Sequence, residues 1–390
     1  MYAERIANLK SSAIRDILKH MSRPGMIAFA GGSPAPELFP VAEIAVACEQ
    51  VLSKYGPTAL QYSITEGLVV LREKLVSKLA ANGLGMSTDN VIITQGSQQA
   101  LDLISKLFID KDSLVFTENP SYLGALQAFR MFQARIAAIP SDSHGIDVEA
   151  LRKQLRVERP KFLYIMPNFQ NPTGVTYSLE RRKALVAAAI EHDLLIVEDD
   201  PYGELIFEGE RLPSLFALAK GKNVIYLSSF SKTIAPGFRV AYTAGDAEML
   251  KKMVIAKQGS DLQTNTFGQY IVNEYLESGH YQTSIDVIRD TYRGRRDAMI
   301  AAMEQEFPSA LAWNRPSGGM FLWVTLPTRW DAKEILERCL EQNVAFVPGQ
   351  EFFPDGSGRN TLRMNFSSPS LGNIGEGVKR MGKVLKEIRG

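Results

Sequence analysis

From residue 91 onward, short apolar runs rich in β-branched side chains recur at 91–94, 114–117, 162–166, 194–197, 224–227 and 240–243. The stretches between them carry apolar residues at helical spacing, so the alternation predicts βα units. Strands apolar on both faces must be covered on both. The pattern therefore predicts an α/β fold, with a mostly parallel central sheet sandwiched by helices. Beyond about Phe267 the pattern changes to a long amphipathic stretch, 281–307, then strand 321–326, helix 332–342 and strands 344–347 and 361–366, which reads as a smaller α+β domain. Upstream, 14–21 has helical spacing, and Ala30-Gly31-Gly32-Ser33-Pro34-Ala35-Pro36 is broken by Gly and Pro into a loop. The chain divides into 1–44, a helix and loop packing with the small domain, a large domain 45–280, and a small domain 281–390.

In an open parallel sheet, ligands bind at the carboxyl ends of the strands, so the segments that follow each run carry the chemistry. After 91–94 comes Gln95-Gly96-Ser97-Gln98-Gln99, a glycine turn into a helix whose free amides suit a phosphate. Taken alone, an ordinary helix capped by Ser97 is the simpler reading. Glu118-Asn119-Pro120-Ser121-Tyr122 puts an aromatic ring at the rim, where a flat ligand could stack, and Asn168 to Gly174 is a turn-dense segment in which Asn171 offers an amide. Glu198-Asp199-Asp200-Pro201-Tyr202 sets carboxylates at the end of a buried strand, where desolvation demands a cationic partner. Asp199 suits a protonated pyridine nitrogen, Tyr202 a phenolate oxygen on the same ring, and Asp200 the start of a helix. The run from Ser228 to Arg239 then supplies hydroxyls at Ser229 and Ser231, an amine at Lys232 and a guanidinium at Arg239, enough to hold a phosphate and present a nucleophile.

Ser229-Phe230-Ser231-Lys232 with Pro236-Gly237-Phe238-Arg239, Asn171-Pro172-Thr173-Gly174, Asp199-Asp200-Pro201-Tyr202 and Gly96-Ser97-Gln98-Gln99 stand in one order along the chain. In these blocks the sequence resembles the fold-type I pyridoxal-phosphate aminotransferases of class I and II, the branch that includes 2-aminoadipate and kynurenine aminotransferases. The resemblance runs nearly end to end. It implies pyridoxal 5′-phosphate bound to Lys232 as a Schiff base, with Lys232 as proton shuttle and Asp199 on the pyridine nitrogen. Tyr202 and Asn171 would bind the phenolic oxygen, and Ser97, Gln98, Ser229, Ser231 and Arg239 the phosphate, with Tyr122 stacked on the ring. Tyr62 would reach the phosphate of a neighbouring subunit, which implies a homodimer. Arg363 would grip the substrate α-carboxylate as a bidentate pair, with Asn171 beside it. Gly31 and Gly32 would lie along the substrate, and Arg15 matches a position that some relatives use for a distal carboxylate. The implied reaction is ping-pong transfer of an amino group from an amino acid (2-aminoadipate, glutamate, aromatic or aliphatic) to a 2-oxo acid such as 2-oxoglutarate.

The bulk properties narrow the rivals. A net charge of +1 over 390 residues supplies no field for nucleic acid or an anionic membrane. Charges stud the first 21 residues and no uncharged run approaches a spanning length, so a cytoplasmic enzyme is expected. Cys48 and Cys339 offer no disulfide framework, and His20, His144, His192 and His280 show no metal spacing. A β-lyase or decarboxylase would share Lys232 and Asp199 and is the nearest alternative. A nucleotide-binding dehydrogenase would need a glycine fingerprint that Gly83-Leu84-Gly85 and Gly356-Ser357-Gly358 do not make. A catalytically silent binding module would have lost the lysine. The regulator relatives of the family carry a DNA-binding domain ahead of this module; none is read ahead of it here, so a transcription factor is not expected.

Overall fold

A computed structural model describes residues 2–7, 23–80 and 85–388. The helix expected at 14–21, with Arg15, lies outside them. Eight strands form the large sheet: β2 (Val91–Thr94), β3 (Leu114–Asn119), β4 (Arg135–Asp142), β5 (Gly145–Ile146), β6 (Leu163–Ile165), β7 (Ile196–Asp199), β8 (Val224–Ser229) and β9 (Ala241–Ala244). Their order is β2-β9-β8-β7-β6-β3-β4-β5. The pairs from β8 through β7, β6 and β3 to β4 are parallel, and β9 is antiparallel to both its neighbours, so β2 runs the same way as β8. The carboxyl ends of β2, β3, β6, β7 and β8 thus share one edge.

Alternate residues of the central strands enter opposite cores. Tyr164, Val197, Ile225 and Leu227 pack on one side, Leu163, Ile165, Ile196 and Val224 on the other. Both faces are covered by helices, as the unbroken apolar runs require. A second sheet of four strands, β10 (Ala312–Trp313), β11 (Phe321–Thr325), β14 (Thr361–Asn365) and β13 (Val347–Pro348), is antiparallel throughout and follows the helix His280–Glu306. The segment 344–347, expected as one strand, is split. β12 (Val344–Ala345) pairs with β1 (Ile27–Ala28) across the chain, whereas Val347 turns into the other sheet.

Three further details differ from the sequence reading. The strand expected to begin at Leu194 begins at Ile196, because Asp193 takes a left-handed φ of 49° and Leu194 N–H bonds the Ala189 carbonyl, closing the preceding helix. β4 was not anticipated: it lies near the sheet edge, is half exposed and mixes polar residues with Pro140. Asp200 starts no helix. Its carboxylate accepts from Gly203 N–H and from the Tyr226 hydroxyl, both at 2.9 Å, and so braces a turn. Among the described residues no helix is long and apolar enough to cross a membrane.

Candidate active site

The segment after β2 turns at Gly96, whose φ of +77° few side chains could adopt, and a Cβ there would collide with the Arg239 guanidinium. Arg239 itself has a left-handed φ of 53°. It lies against the first turn of the helix Ser97–Phe108, where the Ser97 hydroxyl is buried and without a partner. Ser97 therefore does not cap its own helix; Gly96 is the N-cap and provides no side chain. Ser229 Oγ donates to Ser231 Oγ at 2.8 Å and accepts from Ser231 N–H at 3.1 Å, so both hydroxyls stand close together. Gln98 Nε2 reaches the Gly124 carbonyl at 3.0 Å. The ring of Tyr122 covers Gly124, where a Cβ would strike it. Free amides, the unpartnered Ser97 hydroxyl and a guanidinium at one helix end make an anion cup.

Asp199 is buried at the end of β7, and burial pushes its carboxyl up to about 7, with Asp200 adding to the push. No cation among the described residues bonds it. The Tyr164 hydroxyl donates to Oδ2 at 2.8 Å, and Oδ1 is buried with no partner. The expected cationic partner is thus absent among the described residues, which leaves Oδ1 suited to a cationic ring nitrogen. Burial pulls the Lys232 amine down to about 8, and Arg239 and Arg363 push the same way. Its Nζ donates to the Gly32 carbonyl at 2.8 Å.

Arg363, on β14, is buried and sends Nη1 to Asn171 Oδ1 and Nη2 to the Ala30 carbonyl, both at 2.7 Å, while Nε has no partner. Its guanidinium stacks 4.3 Å from the Phe321 ring centroid and 5.1 Å from that of Phe352. Asn171 therefore faces Arg363 with its oxygen and keeps its amide hydrogens for other acceptors. Tyr202 meets Phe321 edge-on at 5.8 Å, and burial raises its phenol well above the ordinary range. Gly31 and Gly32 follow Ala30 in a strap sewn to the small sheet: Phe29 N–H bonds Ala345, Asn365 N–H bonds Phe29, and Ser367 Oγ bonds the Ser33 carbonyl. Tyr62 stands apart, 79% exposed, and Arg15 is not among the described residues.

Three side chains that matter here were not singled out in the sequence. Tyr164 and Glu118 are buried polar groups, and the Tyr177 hydroxyl and Met166 N–H both donate to Glu118. Arg182, fully buried, donates to the carbonyls of Tyr177, Pro213 and Pro167 and to Asn168 Oδ1, which braces the turn that carries Asn171. A phenol inside the apolar run 162–166 was the available signal, since a buried Tyr hydroxyl needs a partner.

The donor set fits pyridoxal phosphate: an anion cup, an amine of lowered pKa and a carboxylate oxygen without a partner. Residues 10–381 match the family model "Aminotransferase class I and II". The chain is 46% identical over 390 residues to a 2-aminoadipate transaminase of Thermus thermophilus, covering 99% of this chain and 97% of that one. It is 41% identical to aromatic-amino-acid aminotransferase 1 of Thermococcus litoralis, covering 99% and 94%. A solved kynurenine aminotransferase of Pyrococcus horikoshii superposes with a TM-score of 0.95 at 42% identity, covering 100% of this chain and 97% of that one. The α-aminoadipate aminotransferase of Thermus thermophilus, solved with N-(5′-phosphopyridoxyl)-L-leucine, gives 0.93 at 44%, covering 100% and 98%. The chain belongs to the class I and II aminotransferases and is a pyridoxal-phosphate-dependent transaminase of fold type I.

Proposed function

We propose that this transaminase takes the amino group of 2-aminoadipate, glutamate or an aromatic or aliphatic amino acid and passes it to 2-oxoglutarate or a similar 2-oxo acid, in two half-reactions that share one site. The observation that carries the reading is the convergence of the Lys232 amine and the Arg363 guanidinium on the carbonyls of Gly32 and Ala30, with the unpartnered Asp199 Oδ1 at the end of β7. The names of the relatives above support 2-aminoadipate and aromatic donors within that range.

Ser97, Gln98, Ser229, Ser231 and Arg239 would hold the cofactor phosphate, Asp199 its ring nitrogen, Asn171 and Tyr202 its phenolic oxygen, and Tyr122 its face. Once bound, the cofactor supplies an electron sink for the electrons released at the substrate α-carbon. Arg363 binds the α-carboxylate through its planar fork, and Phe321 and Phe352 keep that fork from turning. Lys232 Nζ, its pKa pulled below the ordinary lysine value by burial, takes the α-proton and returns it on the far side of the transfer. Gly31 and Gly32 line the substrate, and Arg15 would meet a distal carboxylate.

We read 1–44, 45–280 and 281–390 as the N-terminal arm, the large domain and the small domain. Every strand of the eight-stranded sheet falls between 91 and 244, and β1 pairs with β12. The active form is a homodimer in the cytoplasm. Exposed Leu60, Tyr62, Ile64 and Leu262 form an apolar surface beside the bond from Ser63 N–H to Gln263 that supports pairing of two copies, with Tyr62 reaching the partner's phosphate.

Single amino acids added to the purified, cofactor-loaded protein test the reading by absorbance. Conversion of the visible band to a near-ultraviolet one, reversed by 2-oxoglutarate, is expected, and the panel ranks the donors. Release of ammonia and a 2-oxo acid with no acceptor present would make the protein a lyase instead.

A further inference from the structure

We propose that Tyr164 is a positioning residue for the transamination: its hydroxyl fixes the plane of the Asp199 carboxylate and keeps the shared proton on the cofactor ring nitrogen rather than on Asp199. The inference rests on Asp199 facing that nitrogen.

Tyr164 sits on β6 and Asp199 ends β7, neighbouring parallel strands in which Tyr164 pairs with Val197. Its ring is fully buried and packs edge-on against Phe129, with centroids 5.6 Å apart, so the hydroxyl is held in one place. The O–H donates to Asp199 Oδ2 at 2.8 Å. A hydrogen bond to one oxygen restricts the rotation of the carboxylate, and here the other oxygen, Oδ1, is left bare and buried.

The chemistry of the donor matters as much as its place. Asp200 and Glu118, which act on this pair through their charge, are themselves acidic, and no cation among the described residues bonds Asp199. A guanidinium or ammonium at the position of Tyr164 would satisfy Asp199 so fully that it would release its hold on a pyridinium. An apolar side chain would leave Oδ2 bare, and a carboxylate without donors is the stronger base, which would draw the proton off the ring. A neutral phenol, itself pushed well above its ordinary pKa by burial and by Asp199, lies between these extremes and keeps its proton. The proton that makes the ring an electron sink then stays where it acts.

Tyr164→Phe tests this in the cofactor-loaded enzyme, with Asp199→Asn beside it and a 15N-labelled ring nitrogen as reporter. In Tyr164→Phe the nitrogen resonance is expected to move toward that of unprotonated pyridine. The amino-donor half-reaction should slow by roughly ten- to a hundredfold, the size of one hydrogen bond to a charged group, with KM nearly unchanged. A resonance equal to wild type in Tyr164→Phe, with only thermal stability lowered, overturns the proposal and leaves Tyr164 a core residue. If Asp199→Asn also leaves the resonance unmoved, the pairing of Asp199 with the ring fails instead. Tyr164→Met, which fills similar space without a donor, gives the same readings if Tyr164→Phe does not fold.

Discussion

Arg363 and Asn171, separated by 192 positions, meet at 2.7 Å, so the small sheet and the turn after β6 jointly build one side of the site. Arg363 spends one donor on Asn171 and one on Ala30, and the stack of Phe321 and Phe352 fixes its plane. A lysine cannot keep both bonds and the planar face. Arg363→Lys is expected to raise KM for the amino donor by roughly ten- to a hundredfold, the loss of one charge-assisted bond, with a smaller fall in kcat. Steady-state kinetics on both half-reactions checks it.

Lys232 must be neutral to attack the cofactor. Burial lowers its amine from 10.5 to about 8 in the apoprotein, so the neutral fraction falls about tenfold for each pH unit below that value. The rate of loading apoprotein with cofactor should rise with pH and level off above about 8. Absorbance after mixing measures it, and a midpoint near 10.5 would mean the amine is not perturbed.

In the apoprotein Asp199 is raised from 3.8 to about 7 by burial, so between those values the folded chain binds more protons than the unfolded chain. Its share of stability is present at low pH and is lost as pH rises through about 7. Buried Glu118 and Glu198, also near 7, act in the same direction. Asp199→Asn apoprotein should therefore melt a few degrees above wild type on the alkaline side, with the difference closing as pH falls. Calorimetry across pH decides this, and the same variant should bind cofactor more weakly.

Arg182 satisfies three carbonyls and the Asn168 side chain from a fully buried position. Arg182→Leu leaves those acceptors bare, and a loss of about 3 kcal/mol or more in unfolding free energy is expected. Because the turn it braces carries Asn171, KM for the amino donor should rise too. Denaturant titration and kinetics on the same preparation test both effects.

The strand runs at 91–94, 114–117 and 224–227 were legible because parallel strands are apolar on both faces, and the segments that follow them hold the chemistry. The half-buried strand β4, next to the sheet edge, carries no such run, and the split at Val347 depends on a partner, β1, that no local pattern announces. Lys232, Arg239 and Asn171 stood out because polar residues at strand ends are conspicuous. Tyr164 and Arg182 did not, since their roles come from what they touch across 35 and 15 positions of chain and not from the residues beside them.

The strap that pairs β1 with β12 sets an order of events during synthesis. Ala30 finds its partner Arg363 only 333 positions later. The large sheet can close while this arm is still unplaced, because all its strands lie between 91 and 244. Contacts this distant in sequence form late. The stretch made before the large sheet is thus docked after it, and a nascent chain cut anywhere before Arg363 lacks the bonds to Ala30 and Asn171 even if the large sheet is already formed.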